Sequence, residues 1–287
     1  MKKKIILIGS SGMLGHVLVK FLKLKSQNVI EILRKKKSGN SNIKNIYYFK
    51  NFQSPELLKL IKNLKPTHII NCAGMINHRI NKKNLNDVFY INSIFPATLS
   101  LLSTKLNYRF IHISTDCVFN GKKGNYTERD LTDGNDYYAR SKILGEHITS
   151  NSTVIRTSII GHELSRKLGL LEWLLSSKNK VRGFKNVFFS GLTTLELSKV
   201  IYNYFINKNL FKGRIIHVGG KKISKYNLIK IIVKNYKKKL IINSHYSKKI
   251  DKSLNSTYFR RNSGYKIKNW PQLILEMKKF NERYFKK

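Results

Sequence analysis

The sequence predicts an α/β fold in which a doubly wound parallel sheet is joined by a smaller C-terminal lobe. Three observations support this prediction. Short apolar runs alternate with amphipathic segments through the first half of the chain, a glycine-rich turn follows the first apolar run, and the alternation loosens after Arg156. The length of 287 residues suits one large α/β domain with a second, closely packed lobe.

The first half of the chain predicts strands and helices in alternation. The run KKIILIG is a first strand, and GSSG then leads into MLGHVLVKFLK, where apolar residues recur at helical spacing. The elements predicted next are strand Asn28 to Leu33, helix Ser54 to Leu64, strand Thr67 to Asn71, a helical stretch ending near Leu106, strand Arg109 to Ser114, helix Asp136 to Thr149 and strand Thr153 to Arg156.

The second half predicts a return to the sheet and then a separate lobe. The predicted elements are helix Leu168 to Ser177, a glycine-punctuated stretch to Gly191, helix Thr194 to Ile206, strand Arg214 to Val218, helical segments from Ser224, a basic connector Lys248 to Ser256 and a last helix from Pro271. We therefore expect a first domain over residues 1–156, rejoined by residues 190–218. Residues 157–189 and 219–287 form the second lobe.

The charge of the chain raises the question of an anionic partner. The formal net charge is +41, from 56 Lys and Arg against 15 Asp and Glu. A nucleic acid or an anionic membrane could bind such a surface. However, the lysines are spread over the chain beside many Asn and Ile residues, as AT-rich coding would produce, so we favour compositional bias and expect no nucleic-acid partner.

The apolar runs and the cysteines indicate the cellular compartment in which the protein is expected. No apolar run reaches membrane-spanning length, and the first is too short for the core of a signal peptide. We therefore expect a cytoplasmic protein without a membrane partner. Cys72 and Cys117 lack the paired spacing of metal ligands, the histidines likewise show none, and both cysteines are expected to be thiols.

A glycine turn predicts a dinucleotide site of the Rossmann type. Gly9, Gly12 and Gly15 give the spacing GxxGxxG between the first strand and the first helix. There the backbone can approach a pyrophosphate held at the helix N-terminus. The alternative is that the glycines serve tight packing alone. The position favours a cofactor, which makes residues 1–156 the dinucleotide-binding domain.

The end of the second predicted strand favours NADP. NAD sites usually place Asp or Glu there, but this chain has Arg34, followed by Lys35 and Lys36. A guanidinium can hold the 2′-phosphate of NADP through paired hydrogen bonds. NAD stays possible, because Glu31 could be the acidic partner if the strand ends one turn earlier.

A hydroxyl, a phenol and an ammonium are predicted at the ends of later elements. Thr115 follows a strand, and Tyr138 precedes Lys142 by four residues, so that the last two share one helix face. An ammonium beside a phenol lowers the pKa of the phenol, and the hydroxyl can hold a carbonyl oxygen. Tyr and Lys at this spacing are a weak signal alone. Their order after the glycine turn, NCAG and STD strengthens it.

The chain resembles the extended short-chain dehydrogenase/reductase family, in its dTDP-4-dehydrorhamnose reductase-like, sugar-nucleotide-binding branch. The motifs that carry the resemblance are GSSGMLG, NCAG, INSIFPA, STDCVFNG, YTERD, YARSKILGE and RTSIIG, with a weaker match in GLTTLELSKVI. They span most of the first 161 residues and reach about Ile201. Cys117 departs from the pattern, because many of these reductases have tyrosine after STD, and this leaves the exact substrate open.

The resemblance implies roles for the predicted site residues. Tyr138 is the proton donor, Lys142 tunes it, and Thr115 holds the carbonyl, with Ser114 as a second candidate for that last role. Cofactor contacts are expected from Gly9, Ser11, Gly12, Met13, Leu14, Gly15, Arg34, Cys72, Ala73, Gly74, Asn92, Ser114, Tyr138, Lys142 and Ser158. Substrate phosphates are expected to meet Arg182, Lys185 and Asn186 in the second, substrate-binding lobe.

The resemblance also implies an activity. It is reduction, with NADP(H) favoured over NAD(H), of a keto group at C4 of a nucleotide-linked deoxysugar used for surface polysaccharide. Two alternatives stay open: a nucleotide-sugar epimerase with tightly bound NAD, and a non-catalytic regulatory subunit. The helical stretches Asp87 to Leu106 and Asp136 to Thr149 are those with which the superfamily often forms dimers, so a homodimer is expected.

Overall fold

The computed structural model describes residues 3–34, 44–49, 51–76, 80–164 and 168–285. The strands within these ranges are β1 (Lys4–Ile8), β2 (Asn28–Leu33), β3 (Ile46–Tyr48), β4 (His68–Asn71), β5 (Arg109–Ile113), β6 (Ser152–Arg156), β7 (Ile159–Ile160), β8 (Lys180–Phe184), β9 (Val187–Phe189), β10 (Leu192–Thr193), β11 (Arg214–His217), β12 (Ile223–Ser224), β13 (Ile241–His245) and β14 (Ile250–Asp251).

The helices alternate with these strands. They are α1 (Gly15–Leu24), α2 (Pro55–Leu64), α3 (Leu85–Phe89), α4 (Phe95–Lys105), α5 (Tyr137–Leu144), α6 (Leu170–Ser176), α7 (Thr194–Val200), α8 (Lys225–Asn235), α9 (Thr257–Ser263) and α10 (Trp270–Tyr284). A π-helical stretch, Tyr90–Ile94, joins α3 to α4, and a second, Ile201–Asn207, extends α7. Across the described ranges, no helix is long and apolar enough to cross a membrane.

Seven parallel strands form the central sheet, in the order β11-β6-β5-β4-β1-β2-β3. The order reverses between β1 and β4, so the carboxyl ends of these two strands open a crevice at the switch point. The predicted fold class, a doubly wound parallel sheet with helices on both faces, is confirmed.

Side-chain alternation along the strands builds one core on each face of the sheet. On β1, Ile5 and Leu7 pack against α1, α7 and the C-terminal helices, while Ile6 and Ile8 pack against α2 and α4. All four side chains are fully buried. A strand buried on both faces is a continuous apolar run, which is why KKIILIG predicted it correctly.

The segment after β6 leaves the sheet and returns to it. Strand β11 pairs with β6 as the edge strand of the sheet, and β8 pairs with β13 in a separate parallel ribbon. Strand β14 pairs with β9, and the Asp251 N–H donates to the Gly121 carbonyl at 2.8 Å. The C-terminal segment therefore lies against the loop that follows β5. The division into two lobes at the predicted boundaries stays a prediction.

The observed elements depart from the predicted ones in one helix end and in several short strands. The helix expected to reach Thr149 ends at Leu144, because Gly145 packs so closely on the backbone of Asn92 that a Cβ atom would overlap its carbonyl oxygen. Eight strands of the described residues were not predicted, because runs of two to five residues carry little periodic signal. They are β3, β7, β8, β9, β10, β12, β13 and β14.

Candidate active site

The glycine turn lies at the switch point of the sheet. Gly9 follows β1 with φ of +83°, in the left-handed region, and a Cβ atom there would lie 2.6 Å from the Ala73 nitrogen. A Cβ atom on Gly15 would overlap the Gly9 carbonyl oxygen. The turn therefore needs glycine at both positions for close backbone approach. It leaves a cradle at the N-terminus of α1 that suits a pyrophosphate.

The other predicted residues of this turn have different environments. Ser11 is exposed, Met13 is half-buried, and Leu14 packs in the core beneath α1. The hydroxyl oxygen of Ser10 is buried without a hydrogen-bond partner in the described structure. A buried polar atom beside a glycine cradle fits the binding of a polar ligand at this place.

Arg34 follows the last residue of β2 and is exposed. Its position agrees with the predicted strand end. Lys35 and Lys36, which could add charge, lie outside the described residues. Glu31, the alternative partner for a ribose, lies within β2 and accepts a hydrogen bond from the Lys23 ammonium of α1 at 2.7 Å.

Helix α5 presents Tyr138 and Lys142 to the end of β5. Its N-cap is Asp136, whose carboxylate accepts from the Ala139 N–H at 2.7 Å. Lys142 is 3% exposed, and its Nζ donates to the Ile113 carbonyl at 2.8 Å. Burial lowers the pKa of Lys142 to about 8, although the nearby Glu146 carboxylate acts in the opposite direction.

Thr115 and Tyr138 are brought together as predicted, since their side chains share a hydrogen bond. Thr115 Oγ1 also accepts from the Cys117 N–H at 3.1 Å. Burial raises the pKa of Tyr138 above its usual range, and the neighbouring Cys117 and Asp116 groups raise it further. This differs from the expectation that Lys142 lowers the pKa of Tyr138, because burial is the largest influence and Lys142 is not among the groups that act on the phenol. A neutral phenol is nonetheless the form that can donate a proton.

Asp116 and Cys117, next to Thr115 and Tyr138, are half-buried. Burial raises the pKa of Asp116, which accepts hydrogen bonds from the side chains of Ser158 and Thr115. Burial raises the pKa of the Cys117 thiol to about 11, as expected of an inert thiol. Ser158, a predicted cofactor contact, is therefore next to the candidate active site.

Asn92 ties the NCAG segment to α5. Its Oδ1 accepts from the Met75 N–H at 2.8 Å, while its Nδ2 donates to the Met75 carbonyl at 2.9 Å and to Ser141 Oγ at 3.0 Å. The fully buried side chain thus has its polar atoms satisfied by protein. Gly74 passes so close that an added Cβ atom would lie 3.2 Å from Asn92 Oδ1.

Ser114 is engaged in a buried ionic network that sequence reasoning missed. Its hydroxyl donates to Glu146 Oε1 at 2.6 Å, and Glu146 binds Arg156 through two guanidinium nitrogens, the shorter contact being 2.6 Å. The charged side chains are 4% and 5% exposed. This use of Ser114 favours Thr115 as the hydroxyl for a substrate carbonyl. The motif YARSKILGE contained Glu146, but its role depends on Arg156 in a distant strand.

The predicted phosphate ligands lie in the β8 region. Lys185 lies over the rings of Tyr226 and Tyr246, with Nζ 5.7 and 5.3 Å from the centroids, and the Asn186 side chain hydrogen-bonds to Ser247. Arg182 is exposed on β8. These contacts are with the C-terminal lobe and not with Thr115, Tyr138 or Lys142.

Lys252, in the predicted basic connector, was not singled out from the sequence. The positive charge of Lys252 partly offsets the rise that burial causes in the pKa of Asp116 and of Cys117. It therefore brings a cation of the C-terminal lobe near the candidate catalytic residues. In the part of the chain that the structure describes, no group of three or more His, Cys, Asp or Glu side chains is placed to hold a metal ion.

Known proteins resemble this chain in sequence. The family model described as RmlD substrate binding domain matches residues 2–277. The spore coat polysaccharide biosynthesis protein SpsK of Bacillus subtilis is 29% identical over 208 residues, which cover 70% of this chain and 69% of that protein. A dTDP-4-keto-6-deoxy-D-glucose reductase of Streptomyces niveus is 25% identical over 179 residues, which cover 59% and 58% of the two chains.

A solved structure also matches the whole fold. The dTDP-4-dehydrorhamnose reductase of Bacillus anthracis, determined in complex with NADP, has a TM-score of 0.80 and 18% identity, and the match covers 96% of this chain and 99% of that one. At this identity the similarity concerns the fold.

Proposed function

The chain belongs to the RmlD substrate binding domain family, and from this premise we propose that it is an NADPH-dependent reductase of a nucleotide-linked keto-sugar. It is an NAD(P)-dependent oxidoreductase that reduces the C4 keto group of a nucleotide-activated deoxysugar. The observation that carries the proposal is the hydrogen-bonded pair Thr115 and Tyr138, with the buried ammonium of Lys142 one helical turn away.

The cofactor site is the glycine turn. Gly9, Gly12 and Gly15 leave the backbone cradle for the pyrophosphate, Ala73 and Gly74 line the opposite strand end, and Arg34 binds the 2′-phosphate. The Bacillus anthracis reductase was solved with NADP, which supports this assignment. The hydride for the keto carbon comes from NADPH when it is bound.

The chain itself supplies a proton and orients the keto group of the substrate. Thr115 and Tyr138 hydrogen-bond the keto oxygen, and Tyr138 donates its proton to that oxygen as negative charge develops there. The ammonium of Lys142 stabilises the phenolate that is left. Thr115 and Lys142 are buried and Tyr138 is half-buried, which limits the access of water to the proton transfer.

The substrate lies between this site and the C-terminal lobe. Its nucleotide phosphates are bound by cationic and amide side chains, for which Arg182, Lys185 and Asn186 are the predicted ligands, and Lys252, whose charge acts on Asp116, is a further candidate. The similarity to SpsK supports a product used in surface polysaccharide. A cytoplasmic location and the absence of a nucleic-acid partner stay predictions.

The test is NADPH oxidation by the purified protein against a panel of nucleotide-linked 4-keto-6-deoxysugars, with NADH in parallel. We expect turnover with NADPH, and a loss of kcat of about 100-fold or more in Tyr138→Phe, since that variant lacks the proton donor. Tyr137→Phe is the matched control because its ring is 49% exposed on the same helix. It should keep wild-type activity.

Other outcomes assign the alternatives. Cofactor that stays with the protein through purification, together with interconversion of sugar epimers, would support the epimerase. Binding of NADPH with no turnover of any panel member would support the non-catalytic regulator. Absence of NADPH binding would contradict the assignment of the glycine turn.

A further inference from the structure

A histidine of β5 contacts the ammonium of Lys142. Lys142 Nζ lies 3.2 Å from His112 Nε2 and 2.8 Å from the Ile113 carbonyl oxygen. Both side chains are buried, with 0% exposure for His112 and 3% for Lys142. Two of the three N–H groups of the ammonium are thus directed to one strand, which leaves the third for the active site.

The opposite side of the imidazole is held by the neighbouring strand. Asn71, at the end of β4, lies with its side-chain nitrogen 3.2 Å from His112 Nδ1, and its Oδ1 accepts from the Ala73 N–H at 3.1 Å. Asn71 is fully buried. Asn71 thus accepts from Ala73 through its side chain and from the His112 ring through its backbone carbonyl, and it links Ala73 to the imidazole that contacts Lys142.

We propose that His112 is a positioning residue, which fixes Lys142 Nζ relative to the turn at Ala73 by accepting one of its hydrogen bonds. The expected effect of His112 on catalysis rests on the proposed reductase function. The position of His112 on the strand, one residue before Ile113, lets the side chain and the next carbonyl bind the same ammonium from two directions. A buried cation with two fixed acceptors loses most of its rotational freedom.

The charge states agree with this direction of donation. Burial and the Lys142 ammonium hold the pKa of His112 well below its usual range, so the imidazole is neutral. The Asn71 backbone carbonyl accepts from the ring, which places the ring proton on Nδ1 and the lone pair on Nε2. The Asn71 side-chain nitrogen beside Nδ1 is then a contact and not a hydrogen bond, because both nitrogens are donors. The other ionisable groups that act on Lys142 are Cys72, at the end of β4, and Glu146 on α5, both of which raise its pKa.

The test compares four substitutions in turnover. His112→Leu removes both contacts, and His112→Asn keeps a short polar group near Asn71 without reaching Nζ. We expect both to lower kcat about 10- to 100-fold with little change in KM, as loss of a hydrogen bond to a charge predicts. His112→Gln, whose carbonyl can replace Nε2 as acceptor, should restore most of kcat. Phe110→Leu removes the ring that stacks on His112 but leaves the hydrogen bonds of the imidazole, so it is the control for packing and should keep most of kcat.

A second measurement does not need turnover. In protein with labelled lysine ε-carbons, the Lys142 signal is assigned by its loss in Lys142→Arg and followed against pH. Because an accepted hydrogen bond favours the charged form, the pKa of Lys142 should fall in His112→Leu, recover in His112→Gln, and stay unchanged in Phe110→Leu.

The outcomes separate this proposal from the proposed function. An unchanged Lys142 titration in His112→Leu and His112→Asn, or an equal loss of kcat in Phe110→Leu, would overturn the role of His112. A wild-type protein that reduces no sugar on the panel would contradict the reductase assignment, and the Lys142 titration would still decide the role of His112.

Discussion

At the scale of single residues, the environment of the candidate catalytic groups sets their protonation. Lys142 and His112 are buried and Tyr138 is half-buried, and burial is the largest influence on the pKa of each. The sequence identified Tyr138 and Lys142 by their spacing, but spacing contains no information on burial. It therefore predicted the wrong direction for the pKa of Tyr138 and gave no reason to select His112.

The pKa of Lys142 predicts an alkaline limit to activity. Its pKa is lowered from the ordinary 10.5 to about 8, so the ammonium is present below that pH and is lost as the pH rises through it. Tyr138 keeps its proton to a higher pH, because its pKa is raised. We expect kcat/KM for the keto-sugar to fall above about pH 8, measured from pH 6 to pH 10 at saturating NADPH.

Cys117→Ser is the control for this profile. The thiol of Cys117 has a pKa of about 11 and should not contribute to a decline near pH 8. The decline should therefore be the same in the variant as in the wild type. A profile that stays flat to pH 10 would contradict the assignment of the titrating group to Lys142.

At the scale of elements, the glycine turn brings β1, α1 and the end of β4 into close contact. The chain reverses direction between β1 and α1 while Gly9 touches the backbone of Ala73, at the end of β4. The glycine spacing predicted the turn, since few other functions need three glycines there. It did not show that β4 is the strand that closes on it, because that contact joins residues 64 positions apart in sequence.

Substitutions in the turn should separate packing from cofactor binding. In Gly15→Ala the new methyl group overlaps the Gly9 carbonyl, whereas in Gly12→Ala it lies 3.3 Å from the same oxygen. We expect Gly15→Ala to destabilise the fold by about 1–3 kcal/mol. Gly12→Ala should stay folded and bind NADPH more weakly. Urea unfolding and NADPH fluorescence titration measure the two effects.

Gly264→Ala is the matched control for this series. Gly264 ends α9 with φ of +75°, and no atom lies within 4 Å of the place of an added Cβ. The substitution introduces backbone strain without a clash near the turn, so it should lower stability and leave NADPH affinity unchanged. Equal affinity for NADPH in Gly12→Ala and wild type would argue against the pyrophosphate cradle.

At the scale of the whole molecule, α5 and the segment after it pack against α4 and the π-helical stretch Tyr90–Ile94 that precedes it. Ser93 and Ser100 hydrogen-bond across to the Ser141 and His147 carbonyls at 2.7 and 3.0 Å. Yet Ile94, Leu101 and Leu144 are more than half exposed. Exposed apolar side chains on two adjacent helices support the expected homodimer.

The dimer is tested by multi-angle light scattering. We expect twice the mass of the chain for the wild type, and a shift toward the monomer in Leu101→Asp, because a buried carboxylate would oppose association. Leu131→Asp is the control, since Leu131 is 89% exposed and lies outside both helices. A monomeric wild type would reject the dimer.

The sequence by itself determined the order of the elements and the type of fold. Apolar runs such as Lys4–Ile8 are strands because both faces of the sheet are covered, and this leaves a local and readable pattern. The glycine spacing and the pair Tyr138 and Lys142 can also be recognised locally, since the first depends on one turn and the second on one helix.

Tertiary structure alone decided which distant groups meet. The Glu146–Arg156 ion pair, the contact of His112 with Lys142, and the approach of Lys252 to Asp116 each join separate elements. The same holds for protonation, since the pKa of a side chain depends on how deeply the folded chain buries it and on which charges surround it. Neither the depth nor the neighbours are properties of a local sequence pattern.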